Sequence, residues 1–228
     1  LLGCLPEAFL KRTYWAISPA IDCLTLILLH ALALRLTNSP EAALIAAAAF
    51  CLASSAVYLI NDVIDREADR AHPTKRHRPV AAGRISTTVA LISAAALAGV
   101  ALLVAAAVTA ALAAIIAAYL VMSVAYSVWL KRVVIIDVMV IATGFVLRVL
   151  AGAEAISVEP SIWLLICMGF LALMLGFGKR RGEARLLQEG SASHRAVLEH
   201  YSPMFAGSMV LLTAGPSLAA YAAYSATG

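Results

Sequence analysis

Charge is what this chain has least of. Only 13% of its 228 residues are Asp, Glu, Lys or Arg, while 63% are hydrophobic and the mean hydropathy is +0.92. An ordinary soluble domain is about half apolar and about a quarter charged, so the composition excludes a soluble globular domain and equally a disordered polar tail. The scarcity is sharpest from Thr87 to Leu130, a run of 44 residues without one charge. Cysteine is sparse too: Cys4, Cys23, Cys51 and Cys167 have no metal-ligand spacing and stand mostly in apolar runs, which reads as small core residues and not as a disulfide framework or a zinc site. No secretory signal is evident, since Leu1–Phe9 has no basic stretch ahead of it and Leu26–Leu32 belongs to a full-length apolar span.

What remains is a membrane pattern. Seven apolar runs approach the ~20 residues a bilayer requires: Pro19–Leu36, Ala42–Ile60, Thr88–Ala107, Ala110–Leu130, Val133–Gly152, Ile162–Phe177 and Met204–Tyr224. The long uncharged stretch is more than twice one span, so it must turn back near Val108-Thr109. If the spans alternate, fifteen of the seventeen Lys/Arg fall on one side: Lys11, Arg12, the six from Arg66 to Arg84, Lys131, Arg132 and the five from Lys179 to Arg195. Positive loops stay in the cytoplasm, which places the N-terminus and the charged loops there. The net charge of +4 is thereby explained by topology and anionic lipid, with no sign of a nucleic-acid partner. We read residues 1–228 as a single all-α transmembrane domain.

The scarce charges are concentrated. Asn61-Asp62-Val63-Ile64-Asp65-Arg66-Glu67-Ala68-Asp69-Arg70 follows directly on the run Ala42–Ile60. At about 100° per residue, Asn61, Asp62, Asp65 and Asp69 fall on one arc of a continuing helix, and Glu67 points away. Four oxygen donors facing one spot suit Mg²⁺, which keeps several waters and bridges to substrate phosphates. Next comes His72-Pro73-Thr74-Lys75-Arg76-His77-Arg78-Pro79, a helix stop and then cations close to the carboxylates. Metal ligands beside cations fit a polyphosphate ligand. The plainer alternative is the positive flank of a membrane loop, which has no use for four aligned Asn/Asp side chains. His72 and His77 read as loop residues rather than catalytic bases.

Three more constellations fall on the same side. Tyr126, Lys131 and Asp137 bracket the link between two spans; Lys131 either snorkels or contacts a phosphate, and Asp137 orients that phosphate or a ligand hydroxyl. Arg148 lies inside a span, where an ion pair with Asp22 or Glu154 is the structural expectation. Gly178-Lys179-Arg180-Arg181-Gly182-Glu183 ends another span, with Lys179 and Glu183 on one helical face. It reads either as a basic stop-transfer cluster or as a second wall for an anionic substrate, with His194, Arg195 and His200 on the same loop.

Asn61-Asp62-x-x-Asp65-x-x-x-Asp69-Arg70 resembles the first aspartate-rich motif of the UbiA superfamily of intramembrane prenyltransferases. The stretch onward through His72-Pro73-Thr74-Lys75 and Arg78-Pro79 to Ala82-Gly83 is similar to one branch, the decaprenyl-phosphate phosphoribosyltransferases. Tyr126-Ser127 with Leu130-Lys131 and Asp137, Arg148 with Ala151-Gly152, and Gly178-Lys179-Arg180 with Glu183 match that branch in order. The resemblance implies a UbiA-like helix bundle of nine spans, two of which are missing from the C-terminal end here. It further implies Mg²⁺-dependent transfer of 5-phosphoribosyl from 5-phosphoribosyl 1-diphosphate to a polyprenyl (decaprenyl) phosphate for cell-wall arabinan precursors, at the plasma membrane, with the site facing the cytoplasm. Asn61, Asp62, Asp65 and Asp69 are then metal ligands, Asp65 and Asp69 the catalytic pair, and Lys75, Arg78, Tyr126, Lys131, Asp137, Lys179, Arg180 and Glu183 substrate contacts; a homo-oligomer is compatible.

Two departures stand out. The superfamily's second aspartate-rich motif is replaced by Lys179-Arg180-Arg181-Gly182-Glu183, which argues against a polyprenyl diphosphate donor on a second metal cluster. Where the branch has Arg-Pro, Gln-Trp and Lys-Asn near the N-terminus, this chain has Lys11-Arg12-Thr13-Tyr14-Trp15-Ala16-Ile17-Ser18. The alternatives are a UbiA prenyltransferase acting on an aromatic or glycerol-type acceptor, and a non-catalytic helix bundle. Transporters gather polar residues at the midplane, whereas these gather at one surface.

Overall fold

A computed structural model describes residues 40–72, 75–188 and 201–227. Among these the chain is helical throughout: α1 (Pro40–Ile64), a short α2 (Arg66–Ala71), α3 (Thr87–Val108), α4 (Ala110–Val128), α5 (Ile136–Ala155), α6 (Ile162–Gln188) and α7 (Pro203–Thr227), with single 3-10 turns at Lys75–His77 and Leu130–Arg132. All but α2 are long and apolar enough to cross a bilayer, giving six spans among the described residues and a multi-pass membrane protein. The expected span Pro19–Leu36 lies outside them, as do Asp22, Lys11 to Ser18, and His194, Arg195 and His200.

Local chemistry sets the boundaries. The turn expected near Val108-Thr109 is a single extended residue, Thr109, whose Oγ1 accepts from the Leu112 N–H at 2.9 Å to cap α4 and donates to Glu154 at 3.0 Å. Ser86 caps α3 in the same way through the Val89 N–H, at 3.2 Å. At the polar end the helices run past their apolar cores: α1 reaches Ile64 instead of Ile60, and α6 reaches Gln188 instead of Phe177. Helical hydrogen bonds cost nothing to extend into water, so hydropathy underestimates where a span's helix stops.

Lipid supplies no hydrophobic drive between helices, so close packing must hold them. The main core is built on alanine for that reason: Ala46, Ala49 and Ala53 of α1 meet Ala101 and Ala105 of α3, and Leu112, Ile116 and Tyr119 of α4 and Ala151 of α5 fill the centre around Phe50. A second cluster, Val138, Phe177, Ala184, Tyr201 and Ala206, closes the corner between α5, α6 and α7. There α5 and α6 approach so closely that a Cβ on Gly176 would stand 2.5 Å from Val138 Cγ1. Leu103, Val121, Leu211 and Leu218 are exposed toward lipid, and Trp129 and Trp163 stand exposed near opposite ends of the bundle, where aromatic rings favour the interface. Cys51 faces outward and is not a core residue.

Candidate active site

The acidic motif does not lie on one continuing helix. The chain breaks at Asp65 (φ −89°, ψ 3°), between α1 and α2, although the Asp65 N–H still reaches the Asn61 carbonyl at 2.9 Å and the Asp69 N–H the Asp65 carbonyl at 2.8 Å. The arc survives the break. Arg78 Nη1 donates to both Asp62 Oδ1, at 2.9 Å, and Asp69 Oδ2, at 2.8 Å. Lys131, from the link between α4 and α5, pairs with Asp65. Glu67 is exposed and holds Arg70 at 3.2 Å, as its position off the arc requires.

The loop after α2 is folded back to deliver Arg78. Arg70 Nε donates to the Ala81 carbonyl at 3.0 Å, the Ala82 N–H to the Arg78 carbonyl at 2.8 Å, and the Arg84 N–H to the Pro79 carbonyl at 2.9 Å. Gly83 completes the turn at φ +74°, a conformation that glycine accepts without strain. His72 Nδ1 accepts the Lys75 N–H at 3.3 Å. Burial, followed by the nearby cations Lys75 and Arg78, lowers the His72 pKa below its ordinary value, so the ring is neutral near pH 7.

Beside this lies a second polar set. Arg180 Nε sits 2.7 Å from Asp137 Oδ2, as a charge contact with the N–H off the line to the oxygen, and Arg180 Nη1 pairs with Glu183. Tyr201 donates its hydroxyl to Asp137 Oδ1 at 2.7 Å and accepts the Ile135 N–H at 2.7 Å. Burial and the bond to Asp137 raise the Tyr201 pKa, and the phenol stays protonated. Tyr126 stands close enough to Arg180 for the two to interact electrostatically. Arg180 and Asp137 are 2% and 0% exposed.

The structure thus brings the expected residues to one end of the bundle in two groups. Asp62, Asp65, Asp69, Arg78 and Lys131 form the first; Tyr126, Asp137, Arg180 and Glu183 form the second. Glu183 pairs with Arg180 one turn earlier in α6, and Lys179, half-buried, stands next to them. Asn61 and Lys75 are half-buried at the first group. Tyr201 was not anticipated, and a lone tyrosine ahead of Pro203 carries no sequence signal that would mark it.

Of the two partners expected for the midplane arginine, Asp22 lies outside the described residues and Glu154 is engaged elsewhere. Arg148 lies over Phe50, Tyr119 and Phe145, at 5.0–5.7 Å from the ring centroids, and its Nη2 is 3.4 Å from Tyr119 Oη; Glu154 serves Thr109. Aromatic faces hold the cation by their quadrupoles where lipid would penalise it. No pair with Glu154 forms.

As they stand, no three His, Cys, Asp or Glu side chains among the described residues are arranged to hold a metal ion. Even so the donor set fits Mg²⁺. Asp62 and Asp69 converge on a single guanidinium nitrogen, a cation standing where a metal would be shared, and Mg²⁺ is held by one or two carboxylates completed by phosphate and water.

The chain belongs to the UbiA prenyltransferase family, whose signature matches residues 23–180. It is 38% identical over 156 residues to a decaprenyl-phosphate phosphoribosyltransferase of Mycolicibacterium smegmatis, covering 68% of this chain and 49% of that one. The corresponding protein of Mycobacterium tuberculosis is 37% identical over 156 residues, covering 68% and 52%. The chain therefore spans about half the length of the curated relatives it matches. Among solved structures, a UbiA homolog from Archaeoglobus fulgidus bound to DMAPP and Mg²⁺ superposes with a TM-score of 0.76 at 19% identity, covering 90% of this chain and 74% of that one, which shows the shared fold.

Proposed function

We propose that this chain carries the catalytic end of a polyprenyl-phosphate phosphoribosyltransferase, moving 5-phosphoribosyl from 5-phosphoribosyl 1-diphosphate to a polyprenyl phosphate at the cytoplasmic face of the plasma membrane, with diphosphate as leaving group. One observation supports this reading: the end of α6, where a prenyl diphosphate donor would call for more carboxylates, carries Lys179, Arg180 and Glu183 at the same end of the bundle as the acidic motif. The identity to proteins named for that activity supports it.

The chemistry asks little of the protein beyond charge. An oxygen of the lipid phosphate bonds to C1 of the ribose while the bond from C1 to the diphosphate oxygen breaks, and the electron pair leaves with diphosphate. The centre is oxocarbenium-like, so preorganised positive charge on the leaving group gives the largest help. Asn61, Asp62, Asp65 and Asp69 would hold Mg²⁺, which when bound neutralises diphosphate. Arg78 and Lys131 now spend their charge on those same carboxylates; with the carboxylates otherwise engaged, both are within the same site to bind phosphate oxygens. Lys75 and Lys179 border the two groups as further phosphate contacts. Arg180, enclosed by Asp137 and Glu183, fixes the wall on which they stand. The acceptor is already an anion, so no general base is required.

The test is to incubate membranes holding the protein with radiolabelled 5-phosphoribosyl 1-diphosphate, polyprenyl phosphate and Mg²⁺. Lipid-extractable label is expected. In a parallel incubation with radiolabelled polyprenyl diphosphate, prenyl label carried to an aromatic or glycerol acceptor would make this a prenyltransferase, the activity that the DMAPP-bound fold relative would suggest; transfer of neither group leaves a non-catalytic bundle.

A further inference from the structure

Tyr201 lies beyond residue 180, where the family match ends, and no step of the transfer uses it. Its geometry is demanding. Ile135, the residue before α5, has φ +70°, a region that disfavours β-branched side chains. In that conformation its carbonyl accepts the N–H groups of Val138 at 3.0 Å and Met139 at 2.9 Å, starting the helix, while its own N–H points at Tyr201 Oη, 2.7 Å away. The same hydroxyl donates to Asp137 Oδ1 at 2.7 Å. Tyr201 is 2% exposed, its ring 5.9 Å from that of Phe205, so neither bond can be traded for water. Packing at Gly176 and Val138 pins α6 against the first turn of α5 one turn from Arg180.

Two functional groups depend on this corner. Arg180 rests on the other oxygen of Asp137, and Lys131 is carried by the seven-residue link 129–135 that Tyr201 closes. We propose that Tyr201 is a positioning residue for the transferase site: one phenol latches the link between α4 and α5, and so sets Lys131 against Asp65 and holds Asp137 for Arg180. This rests on the phosphoribosyl transfer proposed above for its kinetic consequence, though not for its geometry. Tyrosine serves here and phenylalanine does not, because a single atom must accept from the backbone and donate to a carboxylate. Strain of the Ile135 kind persists only where the surroundings over-determine it.

The experiment compares the full chain, Tyr201→Phe, and Tyr201→Phe combined with Ile135→Gly, all in membranes. Two readouts are taken: KM and kcat with each substrate varied, and the rate at which a water-soluble amine-acetylating reagent modifies Lys131, followed by mass spectrometry. Tyr201→Phe should raise KM for 5-phosphoribosyl 1-diphosphate about tenfold, equivalent to roughly 1.4 kcal/mol, with KM for the lipid changed less than about twofold, and should speed Lys131 acetylation severalfold. Glycine takes φ +70° freely, so Ile135→Gly should recover most of both. Unchanged Lys131 labelling in Tyr201→Phe overturns the proposal, as does an equal rise in both KM values that Ile135→Gly does not repair, which would mark general loosening. If the unaltered protein transfers no phosphoribosyl, the functional reading falls, and the labelling arm alone decides on the latch.

Discussion

The two charged corners at the polar end of the bundle differ in what holds their charges. Around Asp62, Asp65 and Asp69 the partners are a half-exposed arginine on a turn and a lysine on a link, each a long side chain able to reach elsewhere. Around Asp137 and Arg180 the partners are fully enclosed and braced by a phenol and a second carboxylate. The first set is exchangeable and the second fixed. The transfer proposed for this chain would need both, because charges that must trade partners with a ligand have to be mounted on something that does not move.

If the second corner is fixed by burial, breaking it should cost folding most. Asp137→Ala strands Arg180 in a closed site, and we expect about 3 kcal/mol less stability, the low end for a buried pair because Glu183 remains; thermal unfolding in detergent checks this. If the first corner is exchangeable, its loss should fall on catalysis. Asp65→Asn keeps an oxygen for Lys131 and should fold normally, but lower kcat about a hundredfold, near 2.7 kcal/mol of transition-state stabilisation, and turnover of the unaltered protein should vanish in excess chelator. Full activity in chelator would reduce the acidic motif to structure.

Lys179→Ala sits between the two and sharpens the contrast. Removing one charge-assisted hydrogen bond costs about 1.5–3 kcal/mol, so KM for 5-phosphoribosyl 1-diphosphate should rise roughly tenfold or more with little change for the lipid. An unchanged donor KM would remove the end of α6 from the substrate site. The smallest effect concerns His72. Its pKa is lowered in the folded loop, so the unfolded loop binds the proton more readily, and stability present above the ordinary histidine pKa is lost as pH falls through it. Limited proteolysis of the loop at Lys75-Arg76, corrected for protease activity, should quicken between pH 7.5 and 5.5. His72→Asn, whose amide oxygen accepts the Lys75 N–H without titrating, should flatten that change.

Much of this was legible in the sequence. Long apolar runs located six of the spans to within a few residues, apart from the end of α6, because bilayer thickness leaves little freedom in helix length. The acidic arc was legible as well, since Asn61 to Asp69 is local. What could not be read were contacts between distant segments. The pairing of Lys131 with Asp65 joins residues 66 apart, and that of Tyr201 with Asp137 joins residues 64 apart. Glu154 as a partner for Arg148 failed for a related reason: three rings, two of them from other helices, surround the guanidinium, while Glu154 is taken by Thr109. The break at Asp65 is a backbone choice to which hydropathy is blind.

The single-residue turn at Thr109 bears on how the protein is made. With no lysine, arginine, aspartate or glutamate in α3 or α4, that hairpin carries no orientation signal of its own, and one extended residue is too short for either helix to enter the bilayer and settle independently. The pair must insert as a unit, its direction imposed from outside by the cations before Thr87 and by Lys131 and Arg132 after Val128. The residues proposed to grip phosphate therefore also belong to the orientation signal read during synthesis, and neutralising several of them would weaken that signal along with the site.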